Sequence, residues 1–138
     1  MKTIKNTDYR FYDTENYKGN GYVIFKKEFL KHFDLEFQEK GTKMNLTEEA
    51  INSTIEQNIN IENFQTIDDF LKKGTKIIIE KERELIKLRK NWYNRIFIEI
   101  LRNKKIMFIE SENKLYIYYY KDNTEGTILG GVIMKINL

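Results

Sequence analysis

Residues 94–138 constrain the fold more than any other part of the chain. Four runs rich in β-branched and aromatic residues are separated there by short polar turns, and such residues suit the pleated surface of a sheet. The clearest run is Leu115-Tyr116-Ile117-Tyr118-Tyr119-Tyr120. Successive side chains of a strand alternate faces, so Tyr116, Tyr118 and Tyr120 share one side and Ile117 and Tyr119 the other. The set containing Leu115 and Ile117 is the more apolar and is expected to face the core. The three tyrosines either pack as core or offer rings to a protein partner or to stacked bases.

Ile106–Glu110, Leu115–Tyr120 and Thr127–Ile136 are predicted strands, joined by Ser111-Glu112-Asn113-Lys114 and by Asp122-Asn123-Thr124-Glu125-Gly126. Gly130-Gly131 inside the last strand predicts a bulge, or a place where neighbouring rings lie over bare backbone. Trp92–Leu101 reads in two ways. As a helix it gives the stripe Leu85, Leu88, Trp92, Ile96; as a strand it puts Ile96, Ile98 and Ile100 on one face. The clean alternation favours the strand.

Toward the N-terminus, Tyr9–Tyr12 and Tyr22–Phe25 flank Gly19-Asn20-Gly21 and predict a hairpin with a longish loop. Phe25, Phe29, Leu30 and Phe33 share a helical face, which predicts a short helix over Lys26–Phe33; Leu35 and Phe37 alternate with charges as a strand would. Thr47 before Glu48-Glu49 has the character of an N-cap with acids in the first turn, for a helix to about Asn58 that buries Ala50, Ile51, Ile55 and Ile59. Thr66-Ile67-Asp68-Asp69 and Gly74 bracket a predicted helix over Ile67–Lys73. The spacing Ile78/Ile79, Glu82, Leu85/Ile86, Arg89 predicts another from Thr75 to Asn91. The expected fold class is therefore α+β: a C-terminal antiparallel β-meander of about four strands with an N-terminal β-hairpin, packed against three to four helices. No repeat or linker divides it, so residues 1–138 form a single domain.

A chain of 138 residues buries roughly 65–70 % of the surface its unfolded form exposes, enough to fold without staples. Cysteine is absent, which excludes disulfides, thiolate metal sites and a cysteine nucleophile and fits a cytoplasmic protein. Met1–Asp8 carries no apolar leader, and no stretch approaches the ~20 apolar residues of a membrane span. Lys, Asn and Ile are abundant and Pro is missing, the mark of an AT-rich genome.

Catalytic chemistry has little to draw on. His32 is the one histidine, and alone it assembles neither a zinc site nor an acid–base pair. Asp68-Asp69 and Glu48-Glu49 suit helix first turns better than Mg²⁺ ligation. Gly19-Asn20-Gly21, Gly41-Thr42-Lys43 and Gly74-Thr75-Lys76 lack the spacing and context of phosphate-binding loops. Glu112-Asn113-Lys114 has the spacing of a nuclease pair but falls in a predicted turn. No catalytic residue, metal ligand or cofactor is therefore assigned.

Charge is distributed more tellingly. Residues 81–105 hold nine Lys/Arg against three Glu, a window of +6, whereas the whole chain is only +3. Such a window suits an acidic protein surface or a phosphate backbone. The candidate partner-binding residues are Arg83, Lys87, Lys90, Arg95, Arg102, Lys104 and Lys105 with Tyr116, Tyr118 and Tyr120. The functional expectation is a small non-enzymatic protein-binding domain, a stoichiometric inhibitor or immunity-type protein of bacterial or phage origin, anti-CRISPR-like or toxin-neutralising. Its partner would be a nuclease, toxin or defence effector. The alternatives are an RNA- or DNA-binding domain using the basic window and the tyrosine strand, and a metal-dependent nuclease without a recognisable motif.

Overall fold

The computed structural model describes residues 1–55, 65–66, 77–80, 83–102, 104–122 and 126–137. Its centre is an antiparallel sheet of seven strands lying side by side in the order β2 (Arg10–Asp13), β3 (Tyr17–Gly19), β4 (Val23–Lys26), β13 (Gly126–Met134), β12 (Lys114–Asp122), β11 (Ile106–Glu110) and β7 (Gln65–Thr66). The two-residue strand β6 (Thr42–Lys43) adds to the β2 edge in parallel. N-terminal and C-terminal strands thus belong to one sheet, joined where Ile24 of β4 pairs with Val132 of β13.

Both faces of this sheet are covered. On one, Phe25, Phe108, Ile117 and Tyr119 pack with Phe29 and Leu30 of α1 (Lys27–His32). The same cluster takes in Ile4, Leu35 and Phe37 from the parallel pair β1 (Lys2–Ile4) and β5 (Leu35–Phe37). On the other face, Ile24, Ile109, Tyr116 and Val132 pack with Tyr12, Tyr17 and the buried Ile51 and Ile55 of α2 (Glu48–Ile55). A strand covered on both sides buries both parities of its side chains, so Ile117 and Tyr119 point at the larger cluster and Tyr116 into the smaller.

The expected meander under three to four helices is overturned. Strand accounts for 50 % and helix for 17 % of the described residues, and the helices among them are short: α1, α2 and α3 (Arg95–Glu99). The stretch expected to be a helix from Thr75 to Asn91 contains β8 (Ile77–Glu80) and β9 (Arg83–Lys87), which pair antiparallel, with β10 (Trp92–Asn94) on the far side of β9. Three consecutive isoleucines favour extended backbone. Leu85 and Ile86, which mimicked a helical face, are both buried because β9 is covered on both sides.

The expected strand over Trp92–Leu101 is likewise corrected, since only β10 is extended. Asn94 then caps α3, its side chain accepting Ile96 N–H at 3.3 Å, and Arg95 pairs with Glu99 one turn on at 2.9 Å. A cap and an i,i+4 ion pair favour helix over the alternation of Ile96, Ile98 and Ile100. Phe97, Ile98 and Leu101 are the residues buried.

The N-terminal hairpin is also more than a pair. Tyr17–Gly19, expected as loop, is a strand between β2 and β4, and the buried Asn20 makes the second reversal by accepting Tyr22 N–H and Val23 N–H. Thr47 does cap α2, its hydroxyl accepting Ala50 N–H at 3.1 Å, although Ala50 itself is exposed. The expected helix over Ile67–Lys73, its Gly74 stop, Ile59 and the turn at 123–125 lie outside the described residues.

Candidate interaction surface

The sheet β10-β9-β8 presents the most unusual surface. β8 pairs with β9 through Ile77↔Ile86, Ile78↔Leu85, Ile79↔Glu84 and Glu80↔Arg83, and among the described residues no strand pairs with its other side. Ile77, Ile78 and Ile79 are 47 %, 37 % and 75 % exposed. β9 is held from behind: Ile86 and Tyr93 anchor it in the larger core cluster, and the turn to β10 is fastened by Glu110, whose carboxylate accepts Lys90 N–H at 2.7 Å and Asn91 N–H at 2.9 Å. A core-anchored strand therefore supports an apolar edge with which no other described strand pairs.

At the Arg83 end of β9 lies a cleft of roughly 590 Å³, lined among the described residues by Lys5, Thr7, Arg83, Glu84, Asn94, Arg95, Ile96 and Glu99. Arg95 is fixed there: its Nε donates to Glu99 at 2.9 Å and its Nη1 to Glu84 at 3.1 Å. The hydrogen bond to Glu99, against a small desolvation cost and with Glu84 adding to it, pushes the guanidinium further up from its ordinary value. Arg102 Nη1 reaches the other oxygen of Glu99 at 3.1 Å.

The basic window is not one surface. Arg95 engages Glu84 and Glu99 and Arg102 engages Glu99, while Arg83 lines the same cleft. Lys87 sits at the other end of β9, about 13 Å away at strand rise, where its amine donates to Lys90 O and lies 5.8 Å from the Trp92 ring. Lys90 is 4.0 Å from Glu112. Lys104 stands 5.9 Å from the Phe33 ring, and Lys105 is exposed.

The tyrosine face grades from core to surface along β12. Tyr116 is fully buried, Tyr118 half-buried and Tyr120 41 % exposed. Burial pushes the phenols of Tyr116 and Tyr118 up from their ordinary value. Tyr120 alone of the three presents much of its ring to solvent.

Sequence reasoning missed Ile77–Ile79 and the acids Glu84 and Glu99. The signal was there, in three isoleucines followed by alternating charges, but helical spacing absorbed it. The remaining candidates for chemistry stay apart. His32 packs 4.7 Å from the Phe33 ring and 5.1 Å from that of Tyr119; Lys114 Nζ donates to Thr54 O at 3.0 Å, and Glu112 is 95 % exposed. Among the described residues no three His, Asp or Glu side chains are grouped to hold a metal ion, and no helix is long and apolar enough to cross a membrane. No protein-family description, curated protein or solved structure matches the chain.

Proposed function

We propose that this chain is a non-enzymatic protein-binding domain, acting in the cytoplasm as a stoichiometric inhibitor or immunity-type protein of a bacterium or phage. Its partner, a nuclease, toxin or defence effector, adds an extended segment along β8. The observation that carries the reading is the run of exposed isoleucines on that edge. Natural sheets blunt open edges with charges, prolines or bulges, because an apolar edge templates pairing with another chain. Strand addition combines backbone hydrogen bonds with pockets for alternate side chains, and among the described residues no strand takes up the outer side of β8.

The nucleic-acid reading draws less support. Arg95 and Arg102 are engaged by carboxylates, and Tyr116 has no face to stack on.

Affinity capture with wild-type and Ile79→Lys chains tests the proposal. The expected result is a defined one-to-one protein complex with the wild type, in which the β8 amides gain protection from hydrogen exchange, and its loss with Ile79→Lys at unchanged melting temperature. Equal capture by both chains, or captured material that nuclease digestion removes, overturns it.

A further inference from the structure

We propose that Asn20-Gly21 is a self-modification site that the fold keeps closed: when the strands around it open, Asn20 deamidates, and the product cannot rebuild the buried network it leaves. This is the one Asn-Gly step in the chain, and glycine, having no side chain, leaves its backbone nitrogen unhindered. In an open chain that nitrogen attacks Asn20 Cγ, Nδ2 departs as ammonia, and a five-membered imide closes. Water then splits one of the two imide C–N bonds. Cleavage at Cγ restores the ordinary backbone with an aspartate side chain, and cleavage at the backbone carbonyl leaves isoaspartate. The site does not depend on what binds at β8.

The native structure withholds these steps. Asn20 is 2 % exposed, in the turn between β3 and β4. Its Oδ1 accepts Tyr22 N–H at 2.7 Å and Val23 N–H at 3.1 Å, and its Nδ2 donates to Asn6 Oδ1 at 2.8 Å. Ring closure makes the planar Cγ tetrahedral and swings both polar atoms off these partners, so it costs three hydrogen bonds inside the fold. Asn6 is wholly buried and ties the network to the rest of the N-terminal segment. It donates through Nδ2 to Arg10 O and through its backbone N–H to Gln38 Oε1, and it accepts Asp8 N–H.

The product fails at the same place. An aspartate at position 20 still accepts from Tyr22 and Val23, but it puts its second oxygen where the amide donated, 2.8 Å from the oxygen of Asn6. A buried anion facing an acceptor is strongly disfavoured. Isoaspartate instead adds a backbone atom to a turn closed by Asn20 N–H on Val23 O at 3.1 Å.

Peptide mapping by mass spectrometry tests this on the full chain, held in mildly alkaline buffer either folded or above its denaturation midpoint. Conversion at position 20 is expected to be about a hundredfold or more slower in the folded chain, because only the open fraction reacts. Gly21→Ala should suppress conversion in denaturant. The added methyl meets only Asp8 Oδ2, at 3.9 Å, so this chain should refold fully after the same treatment. Wild-type chains converted in denaturant, returned to native buffer and separated by their extra negative charge, should melt ~5 °C or more below unconverted ones. Equal conversion in folded and denatured chains would overturn the protection. Conversion unchanged by Gly21→Ala would overturn Gly21 N as the attacking atom, and converted chains that melt like unconverted ones would show that the network accepts the product.

Discussion

Gly130 lies directly under the Phe29 ring: a Cβ at position 130 would come within 2.6 Å of Phe29 Cδ2 and 3.1 Å of Tyr119 Cδ1. The register of β12 on β13 skips this residue, with Ile117 opposite Gly131 and Tyr118 opposite Leu129. The bulge and the bare backbone are thus one device, which lets α1 sit close on the sheet. Phe29 has little room to yield, since Phe25, Phe33 and Tyr119 surround it at ring-centre distances of 6.0, 5.2 and 5.4 Å. Gly130→Ala is expected to destabilise the fold by about 1–3 kcal/mol through overpacking. Chemical denaturation measures it, and an unchanged midpoint would mean that α1 shifts freely.

Parity along β12 gives a second prediction. Ile117 is wholly buried, so Ile117→Ala should cost about 2–5 kcal/mol by leaving a cavity. Tyr116→Ala should fall in a similar range because its face is packed as well, whereas Tyr120→Ala at the exposed end should cost less than about 1 kcal/mol. A large loss for Tyr120 and a small one for Tyr116 would reverse the gradient of burial along this face of β12.

How far the sequence could be read depended on whether a signal was local. The strands at Ile106–Glu110 and Leu115–Tyr120, the short helix at Phe29, the strand at Leu35 and the Gly130-Gly131 bulge rest on spacing and glycine chemistry within a few residues, and all are present. The failures came where covering elements decide burial. Leu85 and Ile86 are adjacent and both buried, which reads as a helical face unless it is known that β9 is covered on both sides. Tyr116 looked like an interface residue because nothing in its neighbourhood announces α2, which reaches it from sixty residues upstream. Of the candidate interaction surface, Arg83 and Arg95 were legible as charge, but the isoleucine edge of β8 was hidden by the helical reading.

Acid should weaken the fold through three carboxylates. Lys121 hydrogen-bonds Glu28 and holds its carboxyl below the ordinary value. The Thr14 hydroxyl and the Asn16 N–H do the same for Glu48. Burial pushes Asp13 up, but Lys27 at 2.5 Å, with Lys18 and Lys43, outweighs it. A carboxyl whose folded pKa is depressed contributes stability above its unfolded value and loses it as pH falls through the folded one. Stability should therefore be level above about pH 5 and decline below about pH 4. All three groups are largely solvent-screened, so the decline is expected to be gradual. Glu48→Gln should flatten part of the acid limb, while Glu112→Gln, at a fully open position, should leave the curve unchanged. Melting temperature against pH for the three chains decides it.

The β9–β10 turn provides the last prediction, because its order depends on a residue from another sheet. Glu110 accepts both Lys90 N–H and Asn91 N–H, and Asn91 Nδ2 reaches Ser111 O at 3.1 Å and the Tyr93 hydroxyl at 3.2 Å. Glu110→Ala removes the acceptor for two backbone donors while leaving Ile86 and Tyr93 in the core. Hydrogen bonds to a charged group contribute roughly 1.5–3 kcal/mol each when shielded and less toward solvent, so a global loss of about 1–2 kcal/mol is expected. The local effect should be larger. Amide exchange at Lys90 and Asn91 is expected to accelerate by about tenfold or more, since local opening there no longer breaks charged hydrogen bonds. Amides of Leu85 and Ile86 should slow or quicken only with global stability. If binding at β8 requires a rigid β9, Glu110→Ala should also raise the off-rate of the edge-bound segment without touching the edge itself. Unchanged exchange at Lys90 and Asn91 would show that the turn holds its shape without Glu110.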